Sequence, residues 1–165
     1  IVEINYYPRV SADSTIVPYD YDLKVNNYVE NWNDIISNDI SIARLVPKFL
    51  RKPIIKLMLN YLYKSQKIPI KIRTLSQIIH DLNIPHINFL KMDAENYEWP
   101  ILEGIKDEDW KKILQIAMEV HAHIKGGGNL LEKINHFLKN RGYTVKIDKN
   151  ARFSHMGVHM LYAKR

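Results

Sequence analysis

The sequence predicts an α/β protein whose sheet is mostly parallel and whose last strand runs antiparallel. Three observations point there. Residues 87–92 and 113–120 are short, nearly continuous apolar runs, as expected of buried strands. Amphipathic helical segments precede, separate and follow them. The final two strand-like segments, 143–147 and 157–164, have only a polar loop between them, so the last should reverse direction.

Taken in order, residues 2–7 alternate Val2, Ile4 and Tyr6 against Glu3, Asn5 and Tyr7 and stop at Pro8, which reads as a strand. Polar turns follow as far as Asp39, with a short helix expected near 28–36. Residues 42–63 have helical apolar spacing, interrupted or restarted at Pro47 and Pro53. Thr74 and Gln77 form a capping box ahead of the face Leu75, Ile78, Ile79 and Leu82. Pro85 closes that helix before the strand at 87–92. Pro100 suits a helix start, with Ile101, Leu102 and Ile105 inward and Gly104 near its end. After the strand at 113–120, Asn129 is placed to cap a helix that buries Leu130, Ile134, Phe137 and Leu138 and stops at Gly142.

The 165 residues suffice for one domain with a real core, and 46% hydrophobic with 25% charged residues is ordinary globular composition. No apolar run reaches the roughly 18 residues of a membrane span, and no signal peptide opens the chain. Cysteine is absent, which excludes disulfides and thiolate metal sites and fits a reducing, cytoplasmic setting. The chain starts at Ile1 and so reads as processed, cropped or part of a longer protein. The net charge of +6 is uneven: Lys or Arg occupies 44, 48, 51, 52, 56, 64, 67, 71 and 73, with no Asp or Glu between. That run reads as a solvated face or as a surface for an anionic partner. No nucleic-acid module accompanies it, so nucleic acid is not an expected partner.

Chemistry is concentrated in LKMDAENYEWPILEGI, residues 90–105. Ligands in open α/β sheets bind beyond the carboxyl ends of the strands. Asp93 and Glu95 follow the strand at 87–92, while Glu119 and His121 sit at the same end of the next one. Neighbouring strands would bring these groups into one crevice. Glu98, just before Pro100, also suits a helix N-terminus, where a carboxylate contributes about 0.3–1 kcal/mol. Glu119 sits in an apolar run and needs a partner if buried; Lys91 is a candidate. His121 is a candidate general base or substrate contact. His121 and His123 could instead join Asp93 around a metal, the weaker expectation. The glycines at 126–128 read as a loop over the cleft rather than a phosphate cradle.

Six blocks in order resemble the C-terminal half of FkbM-type methyltransferases. They are residues 74–76, 87–98, 101–105, 116–121, 142–145 and 161–165, matching that family's TLS, DLLKxDxEGxE, VLxGI, IxxEVH, G[FY]xV and LYAxR patterns. YYPRVSADST resembles a segment of members associated with polyketide and nonribosomal peptide pathways. The resemblance implies a Rossmann-like, S-adenosylmethionine-dependent methyltransferase acting on a hydroxyl of a small molecule, polyketide-, peptide- or sugar-like. It implies Asp93, His121 and Glu95 at the reacting centre, Asp93 also toward the donor, and Glu119, Lys91 and Glu98 as acceptor contacts. Residues 1–165 would form a single partial domain without the N-terminal strands of the full fold, within a larger chain or a homo-oligomer, and 40–70 a basic helical insert or lid. The family's glycine after DxE is Asn96 here, and its glycine-rich donor loop and acidic ribose ligand have no counterpart. Two other readings are a metal-dependent hydrolase using Asp93, Glu119, His121 and His123, and a non-catalytic interaction module.

Overall fold

The computed structural model describes residues 1–37, 40–121, 129–148 and 157–165. Its principal sheet has four strands, β3 (Leu90–Met92), β4 (Gln115–His121), β5 (Thr144–Asp148) and β6 (Val158–Lys164), in the order β3-β4-β6-β5. β3 pairs parallel with β4, whereas β6 is antiparallel to both β4 and β5. Three strands therefore share one direction and the last opposes them, inserted between β4 and β5. The architecture is mixed α/β.

β4 is the most deeply buried strand, with Ile116, Ala117, Met118, Val120 and His121 all buried. Burial of successive residues requires cover on both faces, as its unbroken apolar run implied. The run at 87–92 behaves differently. Only Leu90–Met92 joins the ladder, and Ile87 makes an isolated bridge to Ile113. Phe89 is 58% exposed, so this segment is not covered on both faces as expected. Phe89 precedes β3, which among the described residues pairs with β4 alone.

Among the helices, α3 (Leu75–Asp81) starts at the expected box, the Thr74 hydroxyl and Gln77 side chain each bonding the other's backbone. α4 (Glu98–Glu103) and α5 (Asp107–Trp110) follow β3. α6 (Leu130–Lys139) buries Ile134 and Leu138; Asn129 occupies its N-cap, but its side chain makes no capping bond. Gly142, at φ 83°, takes the left-handed turn after α6 that glycine adopts without strain. Leu102, Trp110, Met118, Ile134, Leu138 and Leu161 form the heart of the sheet core.

The first 70 residues build a second, smaller core. β1 (Val2–Tyr6) pairs antiparallel with β2 (Gln66–Ile70), a strand that the sequence does not announce and that contains Pro69. α1 (Tyr21–Glu30) begins earlier than expected, where Asp20 Oδ1 accepts the Leu23 N–H at 3.0 Å. The expected break at Pro47 is found, between a 3₁₀ turn at Ser41–Leu45 and α2 (Lys48–Leu62). The break expected at Pro53 is not: α2 runs through it. Ile55 and Leu59, fully buried in the core that holds Val25 and Trp32, anchor the helix just beyond the proline. Each such side chain contributes about 1.5–3 kcal/mol on burial, enough together to offset a proline's cost.

Candidate active site

Parallel pairing sets Met92 opposite Met118, so the carboxyl ends of β3 and β4 emerge side by side. The next residues of β3 turn sharply. Glu95 and Asn96 have φ of 44° and 73°, a left-handed pair that reverses the chain into α4. Asn96 stands where the resemblance has glycine, and asparagine tolerates this conformation better than other side-chain-bearing residues. The turn folds Glu98 back, and its Oε1 accepts the Asn96 N–H at 3.2 Å.

His121 closes β4, and it meets Glu98 there. Nδ1 lies 2.6 Å from Glu98 Oε1, and both groups are buried. Nδ1 therefore carries a proton that Glu98 accepts, which leaves Nε2 facing the strand ends. Nε2 is 3.5 Å from Glu95 Oε2 and 3.7 Å from Glu119 Oε1. Burial alone would lower the imidazole pKa; the bond to Glu98 and the charges of Glu98, Glu95 and Glu119 outweigh it and raise the value above 6.5. Asp93 joins the group: one ligand atom from each of Asp93, Glu95 and His121 falls within 4.8 Å of the others.

The structure thus gathers Asp93, Glu95, Glu119 and His121 in one cluster, which opens to solvent at the partly exposed Asp93 and Glu119 side chains. Glu98 stands behind them with no exposed surface, and its carboxylate meets the imidazole rather than the opening. Lys91 is 68% exposed at its side chain and pairs with Asp93 at 3.2 Å, not with Glu119. His123 and the loop at 126–128 lie outside the described residues.

The N-terminal segment adds residues that sequence reasoning did not single out. The Tyr19 hydroxyl donates to Glu95 Oε2 at 2.5 Å, and Thr15 Oγ1 donates to the Glu95 carbonyl. Burial raises the Glu95 pKa, and the Tyr19 hydrogen bond works against that rise. Behind Tyr19, the Lys24 ammonium lies 3.7 Å from its ring centroid and 4.0 Å from that of Tyr63. Lys24 also pairs with Asp13 at 3.3 Å, and Asp13 accepts the Tyr63 hydroxyl. Thr15 lies inside the YYPRVSADST block; Tyr19 and Lys24 carry no local signal.

Residues 46–145 match the family model described as Methyltransferase FkbM domain, an interval that contains every carboxylate and the histidine of the opening. The chain belongs to the FkbM methyltransferase domain family. Among curated relatives, 31-O-demethyl-FK506 methyltransferase FkbM of Streptomyces tacrolimicus is 31% identical over 101 residues, covering 61% of this chain and 37% of that protein. AMB antimetabolite synthetase AmbE of Pseudomonas aeruginosa is 29% identical over 96 residues, 58% of this chain and 4% of the synthetase. Methyltransferase 1 of Beauveria bassiana is 23% identical over 164 residues, 98% of this chain and 55% of the relative. The chain therefore spans 37%, 4% and 55% of the lengths of these three relatives. No solved structure matches it significantly. Thr15, Tyr19 and Lys24 lie ahead of the matched FkbM interval.

Proposed function

We propose that this chain is the acceptor-side part of a Rossmann-like, S-adenosylmethionine-dependent O-methyltransferase acting on a hydroxyl of a small molecule. The observation that carries the reading is the imidazole at the end of β4. Its Nδ1 is held at 2.6 Å by buried Glu98, and its Nε2 lies toward Glu95 and Glu119. A base oriented in this way can take a hydroxyl proton, an effect worth about 10²–10⁴-fold in rate. Two of the relatives carry methyltransferase in their names, and one of those names specifies an O-demethyl acceptor.

S-adenosylmethionine, when bound, supplies an electrophilic methyl group on a positively charged sulfur. The donor set at the opening suits that charge: Asp93, Glu95 and Glu119 are carboxylates gathered around His121. We assign Asp93 to the donor's sulfonium end. Nothing in the described residues suits the adenosine end, because a glycine-rich turn and an acidic ribose ligand are wanting there; that half of the site calls for sequence beyond these 165 residues. Glu95, held by Tyr19, positions the acceptor hydroxyl beside His121 Nε2, and Nε2 takes its proton. Glu98 keeps the Nδ1 proton in place and stabilises the imidazolium that results. Glu119 and Lys91 flank the opening as acceptor contacts. Residues 40–70 serve as an insert beside this domain, helical in α2 and closed by β2. No described helix is long and apolar enough to cross a membrane. We place the enzyme in the cytoplasm with a small-molecule acceptor.

Calorimetric titration with S-adenosylmethionine tests the reading. The chain extended with its native upstream sequence to the length of its relatives should bind the donor, and the 165 residues alone should bind it weakly or not at all. An extended chain that releases no heat overturns the proposal. A second reading, metal-dependent hydrolysis, draws on the 4.8 Å grouping of Asp93, Glu95 and His121. A melting temperature raised by Mn²⁺ or Zn²⁺, with metal retained on purification, would favour it.

A further inference from the structure

A cleft of about 560 Å³ lies between the N-terminal segment and α3 and α4, beside the turn that carries Glu95. Ligand pockets for small molecules run from about 300 to 1,000 Å³, so the space suits a whole molecule rather than a water. Its wall is apolar, drawn from Ile4, Ile16, Ile72, Leu75, Pro100 and Ile101.

The polar groups of the wall are largely spent inside the protein. Ser14 Oγ accepts the Tyr7 N–H at 3.2 Å. Thr15 Oγ1 accepts the Val17 N–H at 3.1 Å and donates to the Glu95 carbonyl. The Thr74 hydroxyl and the Gln77 amide oxygen are occupied in the capping box. Arg73 engages one guanidinium nitrogen, Nη2, with Asp81 and the Gln77 carbonyl, and its side chain is half exposed. A polyhydroxylated guest would strip water from every hydroxyl it buried here and find few partners, at a cost of about 1–3 kcal/mol for each unpaired group. An apolar guest loses nothing by that and gains with the area it buries.

The cleft is also joined to the reacting turn. Ala94, which lines it, lies between Asp93 and Glu95 in the chain, and Thr15 lines it while gripping the Glu95 carbonyl. We propose that this cleft holds the body of the methyl acceptor, and that the acceptor is a bulky, mainly apolar alcohol rather than a sugar. The Tyr97 hydroxyl and the Gln77 amide nitrogen, both in the lining, anchor one or two polar atoms on it. The part played by the hydroxyl rests on the methyl-transfer reading; the apolar character of the cleft does not.

The test is an NMR titration of the ¹⁵N-labelled 165-residue protein with cyclododecanol and, separately, with methyl glucoside. Cyclododecanol should saturably shift the amides of Ala94, Tyr97, Ile101 and Gly104, and the glucoside should leave them in place. Ile72 is 47% exposed, so Ile72→Trp adds bulk at the cleft without emptying the core. This variant should weaken cyclododecanol binding at least tenfold at an unchanged melting temperature. Ile16→Trp replaces it if it misfolds. Equal shifts from the glucoside, or full-strength cyclododecanol binding in a folded filled variant, would overturn the assignment. Cyclododecanol binding that survives alongside an extended chain unable to bind S-adenosylmethionine would retain the apolar cleft and remove the methyltransferase reading instead. The reverse result, donor binding without cyclododecanol binding, would do the opposite.

Discussion

Tyr19 reaches across the fold to Glu95, its hydroxyl 2.5 Å from Oε2, and this bond couples the N-terminal core to the ends of the sheet strands. The tyrosine is itself fixed by a cation, since Lys24 lies over its ring and pairs with Asp13. Burial pulls Lys24 toward neutrality while Asp13 and Glu95 hold its charge. Removing the hydroxyl alone tests the coupling. In Tyr19→Phe the pKa of Glu95, already raised by burial, should rise further, because the hydrogen bond that lowered it is gone. A ¹³C titration of the glutamate carboxyls measures this. Methyl transfer by the extended enzyme should fall about tenfold, the loss of one charge-assisted hydrogen bond.

His121 gives stability a pH dependence of definite sign. Its folded pKa lies above 6.5, the ordinary imidazole value, so the native state binds its proton more tightly than the unfolded chain does. The resulting stabilisation is fully present below pH 6.5 and is lost as pH rises through the folded value. Urea denaturation at stepped pH should show that decline. His121→Asn should flatten it across the same window, whatever the variant's absolute stability.

Pro53 is a defect that α2 tolerates. It occupies the helix interior with an exposed side chain and leaves the Phe49 carbonyl without its helical donor. Proline in such a position costs about 3 kcal/mol relative to alanine. Pro53→Ala should therefore stabilise the protein by about 1–3 kcal/mol in urea denaturation, with no change in the titration of His121.

Asn96 should reveal its backbone through a pair of substitutions. At φ 73°, alanine meets a steric penalty that glycine does not. Asn96→Gly should be more stable than Asn96→Ala by about 1 kcal/mol in thermal denaturation. Equal stabilities would mean that the turn relaxes to another conformation.

Local chemistry made much of the fold legible. The Thr74 and Gln77 box and the unbroken apolar run of β4 follow from short-range patterns, and the structure carries both. The nearness of Asp93 to His121 depends in addition on the parallel pairing of β3 with β4. β2 was hidden because Pro69 argues against a strand, yet among the described residues β2 pairs with β1 alone, and proline is tolerated on such an edge strand. α1 was misplaced because its asparagines and aspartates resemble turn sequence, while its true start depends on the single cap at Asp20. The site divides in the same way. Glu98 looks from sequence like a helix-end carboxylate, and only folding shows it buried against an imidazole 23 residues away. Tyr19 and Glu95 are 76 residues apart, beyond the reach of any spacing rule.

The pairing of Glu98 with His121 is the claim on which the site depends, and an NMR titration of His121 in the wild type and in Glu98→Gln tests it most directly. The substitution preserves shape and removes the charge that Nδ1 faces. The account predicts a wild-type pKa above 6.5 that falls in the variant. A His121 that titrates at or below 6.5 in the wild type, and is unmoved by Glu98→Gln, would contradict it.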